Sequence, residues 1–442
     1  MTRRPGGKLP MKRLTVFLLH GLLSTGCLMS ADQPASSATG LRVAADFEGG
    51  SAEVVGVNAA TSTVRIMPAL RPERGWPCWW YLRLDGLEIG QTVTLEVQAQ
   101  TKPFRPGSVL PADWCQPERA AISTDNVKWQ HTDAATFTPD KVAAYPFRAA
   151  TTRVWLAWGP PFVPSDADAL LERIAAKLPA QSARFDLAKT RGGRTVKGIR
   201  IGPEPASRQV WVNARQHAWE AGGSWVGRGF IEWCAGEDPA ARALRETTCI
   251  HFVPVMDVDN AAIGAGGKEA TPRDHNRDWS AQPVYPEIAA AQERIRNIHA
   301  AHGLDVYIDL HNPGRGEKAP YFFGPFDFDK LGPVQRRNYE RWLELASESI
   351  SGPLRVSPKY LFANYVKTGE ERARMSSGWV RAHMGEAAIS VTLETAWNTP
   401  ASTQEGYMTV GRQLAQAVAK YLGENPRRPA DGGGPLKRQG RD

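Results

Sequence analysis

The chain has little cysteine, and the few cysteines are spaced wrongly for a thiolate metal site. Only five of its 442 residues are cysteine, and no two of them form a C-x-x-C pair. This spacing argues against a zinc site built from thiolates. In an exported protein Cys234 and Cys249 enclose a loop that a disulfide could close. Buried free thiols are the equal alternative for these two residues and for Cys78 and Cys115.

The body of the chain also lacks an excess of charge of either sign. The formal net charge of +8 and the pI of about 9.2 come from the two ends of the sequence. Five positive charges precede Ala31, and the segment from Asn425 onward adds a net three. The residues between them are close to neutral. A nucleic-acid partner is therefore not expected, because that class of partner calls for a basic patch.

Long apolar runs are a third absence. The run Leu14–Leu23 has ten residues, which is too short to span a bilayer but suits the core of a signal peptide. Basic residues precede this run, and small residues follow it as far as Ala31. These features predict a signal peptide over residues 1–31 and an exported protein that is periplasmic, envelope-attached or extracellular. Cys27 lies near a lipoprotein cleavage pattern, so a lipid anchor there is the alternative to plain cleavage, and no membrane span is expected.

Tryptophan is abundant, with fifteen residues, and this aromatic content requires a packed core. Residues 40–160 contain short alternating runs bounded by Gly, Pro and Asp, which predicts a small all-β sandwich domain. In residues 165–424 strand-like runs alternate with helical runs, which predicts an α/β domain with a mixed central sheet and helices on both faces. Ser165 is the expected N-cap of the first helix. The tail over residues 425–442 is rich in Pro, Gly and Arg and is expected to be disordered.

Two apolar strands of the second domain each end in a polar turn that carries histidine. The first begins at Val210 and leads to His217 and Glu220, and the second begins at Asp305 and leads to His311. In α/β folds, ligands bind at the carboxyl ends of strands. Together His217, Glu220 and His311 form the His₂Glu set of a catalytic zinc site, which leaves a fourth position open.

Two further segments carry polar residues suited to catalysis. Asn276 and Arg277 lie in a stretch too polar for a core, and an arginine beside an asparagine can hold a substrate carboxylate through paired hydrogen bonds. Glu394 ends the apolar strand that begins at Ala388, where a buried carboxylate is costly without a function or a partner. A carboxylate beside a zinc-bound water can take its proton and pass it to a leaving amine.

In their order along the chain, these four segments resemble the zinc carboxypeptidases of the carboxypeptidase A type. The family pattern is His-x-x-Glu, then Asn-Arg, a lone His and a Thr-Leu-Glu strand. Each segment alone also suits a solvated loop or a turn, so the ordered set carries the resemblance, which covers roughly residues 180–422. The segment before it, with Trp79-Trp-Tyr-Leu-Arg, is similar to the β-domain of the cytosolic carboxypeptidase branch.

The resemblance implies a zinc carboxypeptidase fold and an enzyme that hydrolyses C-terminal amino acids from peptides or peptide-like substrates with a free C-terminus. It also implies one zinc ion per chain and an attacking water that the zinc activates. The resemblance also implies a role for each site residue. His217, Glu220 and His311 are the implied zinc ligands, and Asp274 is the implied carboxylate that orients the first histidine. Asn276 and Arg277 are the implied pair that grips the substrate carboxylate, and Glu394 is the implied general base and acid.

The chain departs from the family pattern in two places. Where family members carry an arginine that stabilises the oxyanion, the nearest cation here is Lys268, which can stabilise the charge but cannot fork onto it. The mobile tyrosine of carboxypeptidase A has no counterpart between Arg372 and Arg381, although Tyr365 lies a little earlier. The floor of the specificity pocket is expected around Trp379 to Arg381, and the side-chain preference stays open.

Two other functions remain as alternatives. A zinc amidohydrolase could use the same ligands on a non-peptide or cell-wall amide, and an inactive surface-binding protein could rely on the β-domain alone. Retention of Asn276 and Arg277 argues against the first alternative. Retention of every ligand and of Glu394 argues against the second, because function depends on the site and not on the fold.

Overall fold

The computed structural model describes residues 40–424 of the chain. The predicted signal peptide, the alternative lipid anchor on Cys27 and the predicted disordered tail lie outside the described residues, and they stay predictions. No helix in the described range is both long and apolar enough to cross a membrane.

The first part of the described chain is built from strands, several of which alternate between buried and partly exposed positions. In the strand Thr92–Val97, for example, Val93, Leu95 and Val97 are buried. The strands form two five-stranded sheets, in the orders β1-β4-β10-β6-β7 and β2-β3-β5-β9-β8. The predicted all-β domain is confirmed. Its strands are β1 (Arg42–Ala44), β2 (Glu53–Asn58), β3 (Thr63–Met67), β4 (Tyr81–Asp85), β5 (Thr92–Val97), β6 (Ala121–Ser123), β7 (Gln130–His131), β8 (Thr136–Phe137), β9 (Ala143–Arg148) and β10 (Arg153–Ala157).

The second part contains one seven-stranded sheet in the order β11-β12-β14-β13-β15-β17-β16. Its four central strands, β14, β13, β15 and β17, are parallel, and the strands at both edges are antiparallel. The predicted mixed sheet is therefore confirmed. Its strands are β11 (Ser182–Lys189), β12 (Thr195–Ile201), β13 (Arg208–Ala214), β14 (Thr248–Val253), β15 (Val306–His311), β16 (Tyr321–Phe323) and β17 (Ile389–Glu394).

Helices cover this sheet, as expected. The helices α2 and α6 both pack on α9, while α5 packs on β11 and β13, and α8 packs on β15 and β17. The helices are α1 (Pro164–Lys177), α2 (Ala221–Cys234), α3 (Pro239–Thr247), α4 (Val258–Ala262), α5 (Pro286–His302), α6 (Pro333–Ser349), α7 (Gly369–Ala373), α8 (Ser376–His383) and α9 (Gln404–Glu424).

The predicted cap of the first helix is wrong. Helix α1 begins at Pro164, whose fixed φ and missing N–H suit the first helical position, and Val163 is the N-cap. Ser165 lies within the first turn instead, where its hydroxyl donates a hydrogen bond to Glu48.

The four cysteines in the described range are free and buried. No disulfide therefore joins Cys234 to Cys249. Burial raises the pKa of the Cys234 thiol, which keeps it neutral.

The two domains share a continuous interface. The main-chain N–H of Glu118 donates to the side chain of Asn398 at 2.7 Å. At the end of β10, Trp158 packs against Trp397 from the loop after β17, with ring centroids 4.3 Å apart. These contacts fix the first domain beside the carboxyl ends of the central strands.

Candidate active site

The parallel strands bring the predicted site residues to one edge of the central sheet. β13 ends at Ala214 and leads into the turn that contains His217 and Glu220. His311 is the last residue of β15, and Glu394 is the last residue of β17. The register of β15 and β17 places His311 directly beside Glu394.

Arg215 holds the turn after β13 in shape. Its backbone φ of 62° is in the left-handed region, which is uncommon for a residue other than glycine. Its buried guanidinium donates hydrogen bonds to the carbonyl oxygens of Ala218 and Phe162. Burial lowers the pKa of Arg215 to about 10, so the group remains charged at neutral pH. These bonds hold the following residues, His217 and Glu220, at the sheet edge.

Glu220 lies between the two histidines. Its Oε1 is 2.8 Å from Nδ1 of His217, and its Oε2 is 2.6 Å from Nδ1 of His311. One ligand atom from each of the three residues lies within 4.8 Å of the others, and all three residues are buried. Burial raises the pKa of Glu220, but the two histidines outweigh this effect and hold the pKa well below its usual range.

A buried aspartate fixes each histidine from behind. Nε2 of His217 is 3.3 Å from Asp274, and Nε2 of His311 is 2.8 Å from Asp309. A carboxylate accepts hydrogen bonds, so Asp274 and Asp309 favour the N–H on Nε2 in both rings. Each Nδ1 then faces the Glu220 carboxylate in one buried space, and a cation bound there would take a lone pair from each ring. Zinc prefers this donor set, and the residues therefore fit a zinc ion.

Asp309 is at the centre of a hydrogen-bond network that the sequence reasoning missed. Its Oδ1 accepts from Asn213 at 2.7 Å, and its Oδ2 accepts from Gln216 and Ser376 as well as from His311. The side chain has no exposed surface. One signal could have identified it, because an aspartate two residues before His311 in an apolar strand lies on the same face as the histidine.

Asn276 belongs to this network too. Its Oδ1 accepts from the main-chain N–H of Ser376 at 2.9 Å, and its Nδ2 is 3.4 Å from Nε2 of His311. The amide oxygen is thus engaged by the protein, and Asn276 also lines the cavity of the site. Its role in substrate binding stays a prediction.

Glu394 faces the cavity with a carboxylate that the protein does not fully satisfy. Within residues 40–424 its buried Oε2 has no hydrogen-bond partner. Burial raises the pKa of Glu394 above its usual range, and the charge of Glu220 raises it further against the opposing effects of His311 and Lys268. On the other side of β17, Tyr321 of β16 lies directly opposite Glu394 and also lines the cavity.

A cavity of about 1020 Å³ opens over these residues. Arg277 and Lys268 line it and make no ion pair with any residue in the described part of the chain, whereas three other arginines on its wall are paired. Nη1 of Arg277 donates to its neighbour's carbonyl oxygen at 3.0 Å, and Nζ of Lys268 is 5.6 Å from the ring centroid of Trp76. The paired arginines are Arg105 with Glu269 at 2.7 Å, Arg273 with Asp278 at 3.6 Å and Arg374 with Glu370 at 2.5 Å.

Comparison with known families identifies both domains. A model described as zinc carboxypeptidase matches residues 167–425, which is more than half of the chain. The chain belongs to the zinc carboxypeptidase family. A second model, the cytosolic carboxypeptidase N-terminal domain, matches residues 43–158. The predicted family and fold are confirmed, and the protein is a metallocarboxypeptidase, a class of hydrolase for which the family implies zinc.

Individual relatives are distant. The chain is 26% identical over 311 residues to an uncharacterized protein of Zymomonas mobilis, covering 69% of this chain and 76% of that protein. It is 29% identical over 123 residues to cytosolic carboxypeptidase 2 of Danio rerio, covering 27% of this chain and only 17% of that much longer protein. The crystal structure of a metallo-carboxypeptidase from Burkholderia cenocepacia superimposes with a TM-score of 0.73 and 21% identity, covering 87% of this chain and 100% of that one. That likeness concerns the fold.

The expected floor of this carboxypeptidase's pocket is wrong. Trp379 is buried in α8, where its ring lies 5.6 Å from that of Trp279 and stacks on His383. Neither Trp379 nor Arg381 lines the cavity, whereas Met375, just before α8, does. The prediction failed because α8 turns this part of its surface away from the cavity.

Proposed function

We propose that the enzyme removes amino acids from the C-terminus of peptides, with His217, Glu220 and His311 holding one zinc ion. The observation that carries the proposal is a single cavity that combines this His₂Glu cluster with the unpaired carboxylate of Glu394 and the unpaired guanidinium of Arg277. In the described part of the chain no second group of such side chains is close enough to hold a metal, which supports one zinc per chain.

The chemistry assigns a proton-transfer role to Glu394. Zinc, when bound, lowers the pKa of a coordinated water and polarises the carbonyl that is attacked. Glu394 can accept the proton of the attacking water because its carboxylate is unpaired and lies beside His311. The protonated carboxyl can then pass that proton to the nitrogen of the leaving amine. Lys268, whose charge acts on both Glu394 and Asp274, is the proposed stabiliser of negative charge on the carbonyl oxygen.

Arg277 is proposed to bind the substrate's terminal carboxylate. A cation in a cavity with no carboxylate partner of its own is available for an anionic substrate group. A guanidinium binds a carboxylate through two parallel charge-assisted hydrogen bonds, which fix orientation as well as adding affinity. Binding at Arg277 would therefore place the last peptide bond over the zinc cluster.

The test compares wild type with Arg277→Ala on one peptide that has either a free or an amidated C-terminus. Wild type should cleave the free form and be nearly inactive on the amidated form. Arg277→Ala should lower kcat/KM on the free peptide by about 100-fold or more, since a truncated charge-paired contact costs about 3 kcal/mol. Arg277→Lys should recover only part of the rate, because an ammonium group cannot make the two parallel hydrogen bonds that a guanidinium makes to a carboxylate.

Arg273→Ala is the matched control, because Arg273 lines the same cavity but is already paired with Asp278. It should leave the ratio between free and amidated peptide nearly unchanged. Equal cleavage of both peptides by wild type would show that the terminal carboxylate is not recognised, and it would favour the amidohydrolase alternative. A zinc-loaded wild type with no activity on peptides or amides would favour the inactive surface-binding alternative.

We also propose that the protein is exported, from the positive segment, the short apolar run and the small residues before Ala31. N-terminal sequencing of protein from the native envelope fraction should show that residues 1–31 are absent. An intact N-terminus on cytoplasmic protein would overturn the proposal, and a lipid on Cys27 would favour envelope attachment.

A further inference from the structure

The N-terminal domain supplies part of the cavity wall. Trp76 and Trp114 from this domain line the cavity together with Trp219 from the turn between two zinc ligands. The ring centroids of Trp76 and Trp114 are 4.6 Å apart, and those of Trp114 and Trp219 are 5.8 Å apart. Trp76 and Trp114 are both partly exposed, whereas Trp219 is buried, so in this aromatic wall of three residues Trp76 and Trp114 present the ring surface that a substrate can reach.

Main-chain hydrogen bonds fix this wall relative to the catalytic residues. The loop of residues 73–76 pairs with the loop of residues 266–271, which carries Lys268. The N–H of Trp76 donates to the carbonyl of Lys268 at 3.0 Å, and the N–H of Gly267 donates to the carbonyl of Arg74 at 2.9 Å. The N–H of Trp219 donates to the carbonyl of Gly266 at 3.0 Å. The aromatic wall and Lys268 are therefore held as one unit.

The position of Arg277 determines which part of a substrate can meet the wall. Arg277 is anchored towards α8, because its neighbour Asn276 is bonded to Ser376, the first residue of that helix. The aromatic wall starts at Trp219, beside the zinc ligand Glu220, and runs into the N-terminal domain. With the terminal carboxylate on Arg277 and the scissile bond at the zinc cluster, the residue before the scissile bond reaches the wall.

We infer that Trp76 and Trp114 form a subsite for an aromatic side chain in the substrate residue that precedes the scissile bond. The inference rests on the proposed carboxypeptidase function. Two partly exposed indole rings offer a large apolar surface, and aromatic pairs gain affinity beyond the area that they bury. Lys268 lies over this surface, with its Nζ 5.6 Å from the centroid of the Trp76 ring.

The test uses three N-acetylated dipeptides with the same C-terminal residue and Phe, Gly or Glu before the scissile bond. The measured quantity is the ratio of kcat/KM for the Phe peptide to that for the Gly peptide. Wild type should favour the Phe peptide. Trp76→Ala should lower the ratio by about tenfold, as expected for the loss of one aromatic contact and its buried area. Trp114→Leu is a second variant that keeps an apolar side chain, and it should lower the ratio in the same direction.

Trp155→Ala is the matched control, because Trp155 is a partly exposed tryptophan of the same domain that does not line the cavity. It should leave the ratio unchanged. Thermal unfolding and zinc content show whether each variant is folded. A folded Trp76→Ala whose rates on both peptides fall equally would overturn the subsite while leaving the proposed function intact. A wild-type preference for the Glu peptide would also overturn the subsite, because it would mean that Lys268 binds an acidic side chain at the aromatic wall. A wild type that cleaves none of the three would overturn the proposed function together with the subsite.

Discussion

Changing Asp309 to asparagine should weaken zinc binding without any contact to the metal. Asp309 accepts hydrogen bonds from four side chains, one of which is His311 at 2.8 Å. This bond favours the N–H of His311 on Nε2, and Nδ1 would then be the zinc donor. The carboxylate also makes the imidazole a stronger ligand, because it stabilises positive charge on the ring. An asparagine has nearly the same shape but one acceptor oxygen and no charge.

The structure gives the size of the effect. An asparagine turned with its oxygen towards His311 points its NH₂ at the amide of Asn213. Asn213 cannot turn over without losing the bond that Trp211 donates to its Oδ1 at 2.9 Å. The opposite orientation points the NH₂ at three donors. Each lost bond to a charged group costs about 1.5–3 kcal/mol, and changes behind a metal ligand lower metal affinity by about 10–100-fold. We therefore expect zinc affinity to fall by about 10–100-fold and stability to fall as well.

Competition against a chelator of known zinc affinity, at fixed pH, measures this change. Asp278→Asn is the control, because Asp278 is equally buried but accepts from the main-chain N–H groups of Val284 and Tyr285. It should lose stability and keep its zinc affinity. Asp274→Asn should have a smaller effect than Asp309→Asn, because its contact to His217 is longer, at 3.3 Å. A folded Asp309→Asn protein with wild-type zinc affinity would refute the reasoning.

Three further predictions follow from the same contacts. Glu394→Gln should keep zinc and substrate binding but lose turnover by at least about 100-fold, since the amide cannot transfer a proton, and near wild-type kcat would reject the role. His311→Ala should lose most bound zinc in metal analysis, and an undiminished zinc content would reject the ligand assignment. Although burial lowers the pKa of His275, Asp257 and Glu287 raise it to about 9, above the unfolded value of about 6.5. The stability that His275 adds over His275→Gln should be full below pH 6.5 and fall by roughly 3 kcal/mol as pH rises through 9; a pH-independent difference in urea unfolding would contradict this.

The residues that sequence reasoning found share one property. They are polar or charged groups next to apolar strands, where burying such groups costs free energy. His217, His311 and Glu394 each lie at the end of an apolar strand, and the structure brings all three together because those strands are parallel neighbours. The order of the strands within the sheet did not have to be known to propose the cluster, because parallel strands have their carboxyl ends at the same edge of the sheet whatever that order is. The strand-end pattern was therefore sufficient to predict the cluster of His217, Glu220 and His311 only together with the resemblance that the ordered set carries.

The residues that sequence reasoning missed depend on pairing that no local pattern reveals. Tyr321 acquires its position from the register of a three-residue edge strand against β17. The strand β11 went unpredicted because it is an edge strand with a bulge between Asp186 and Ala188, which interrupts alternation. Asp309 was visible in the sequence, but its four donors come from separate segments of the chain. Only the fold shows that these donors converge.

The contacts of the N-terminal domain with the cavity are likewise invisible to its local sequence pattern. Its alternating strands predict an independent core and say nothing about the cavity. Trp76 lies in a loop between strands, and its N–H bond to Lys268 joins that loop to the catalytic domain. Trp158 packs on both Trp219 and Trp397, so separating the domains would expose several large rings beside the zinc ligands. Burying one such ring stabilises a protein by about 2–3 kcal/mol, and the main-chain bonds add to this. We therefore expect the catalytic domain alone to lack both part of its cavity wall and the contacts that position Lys268.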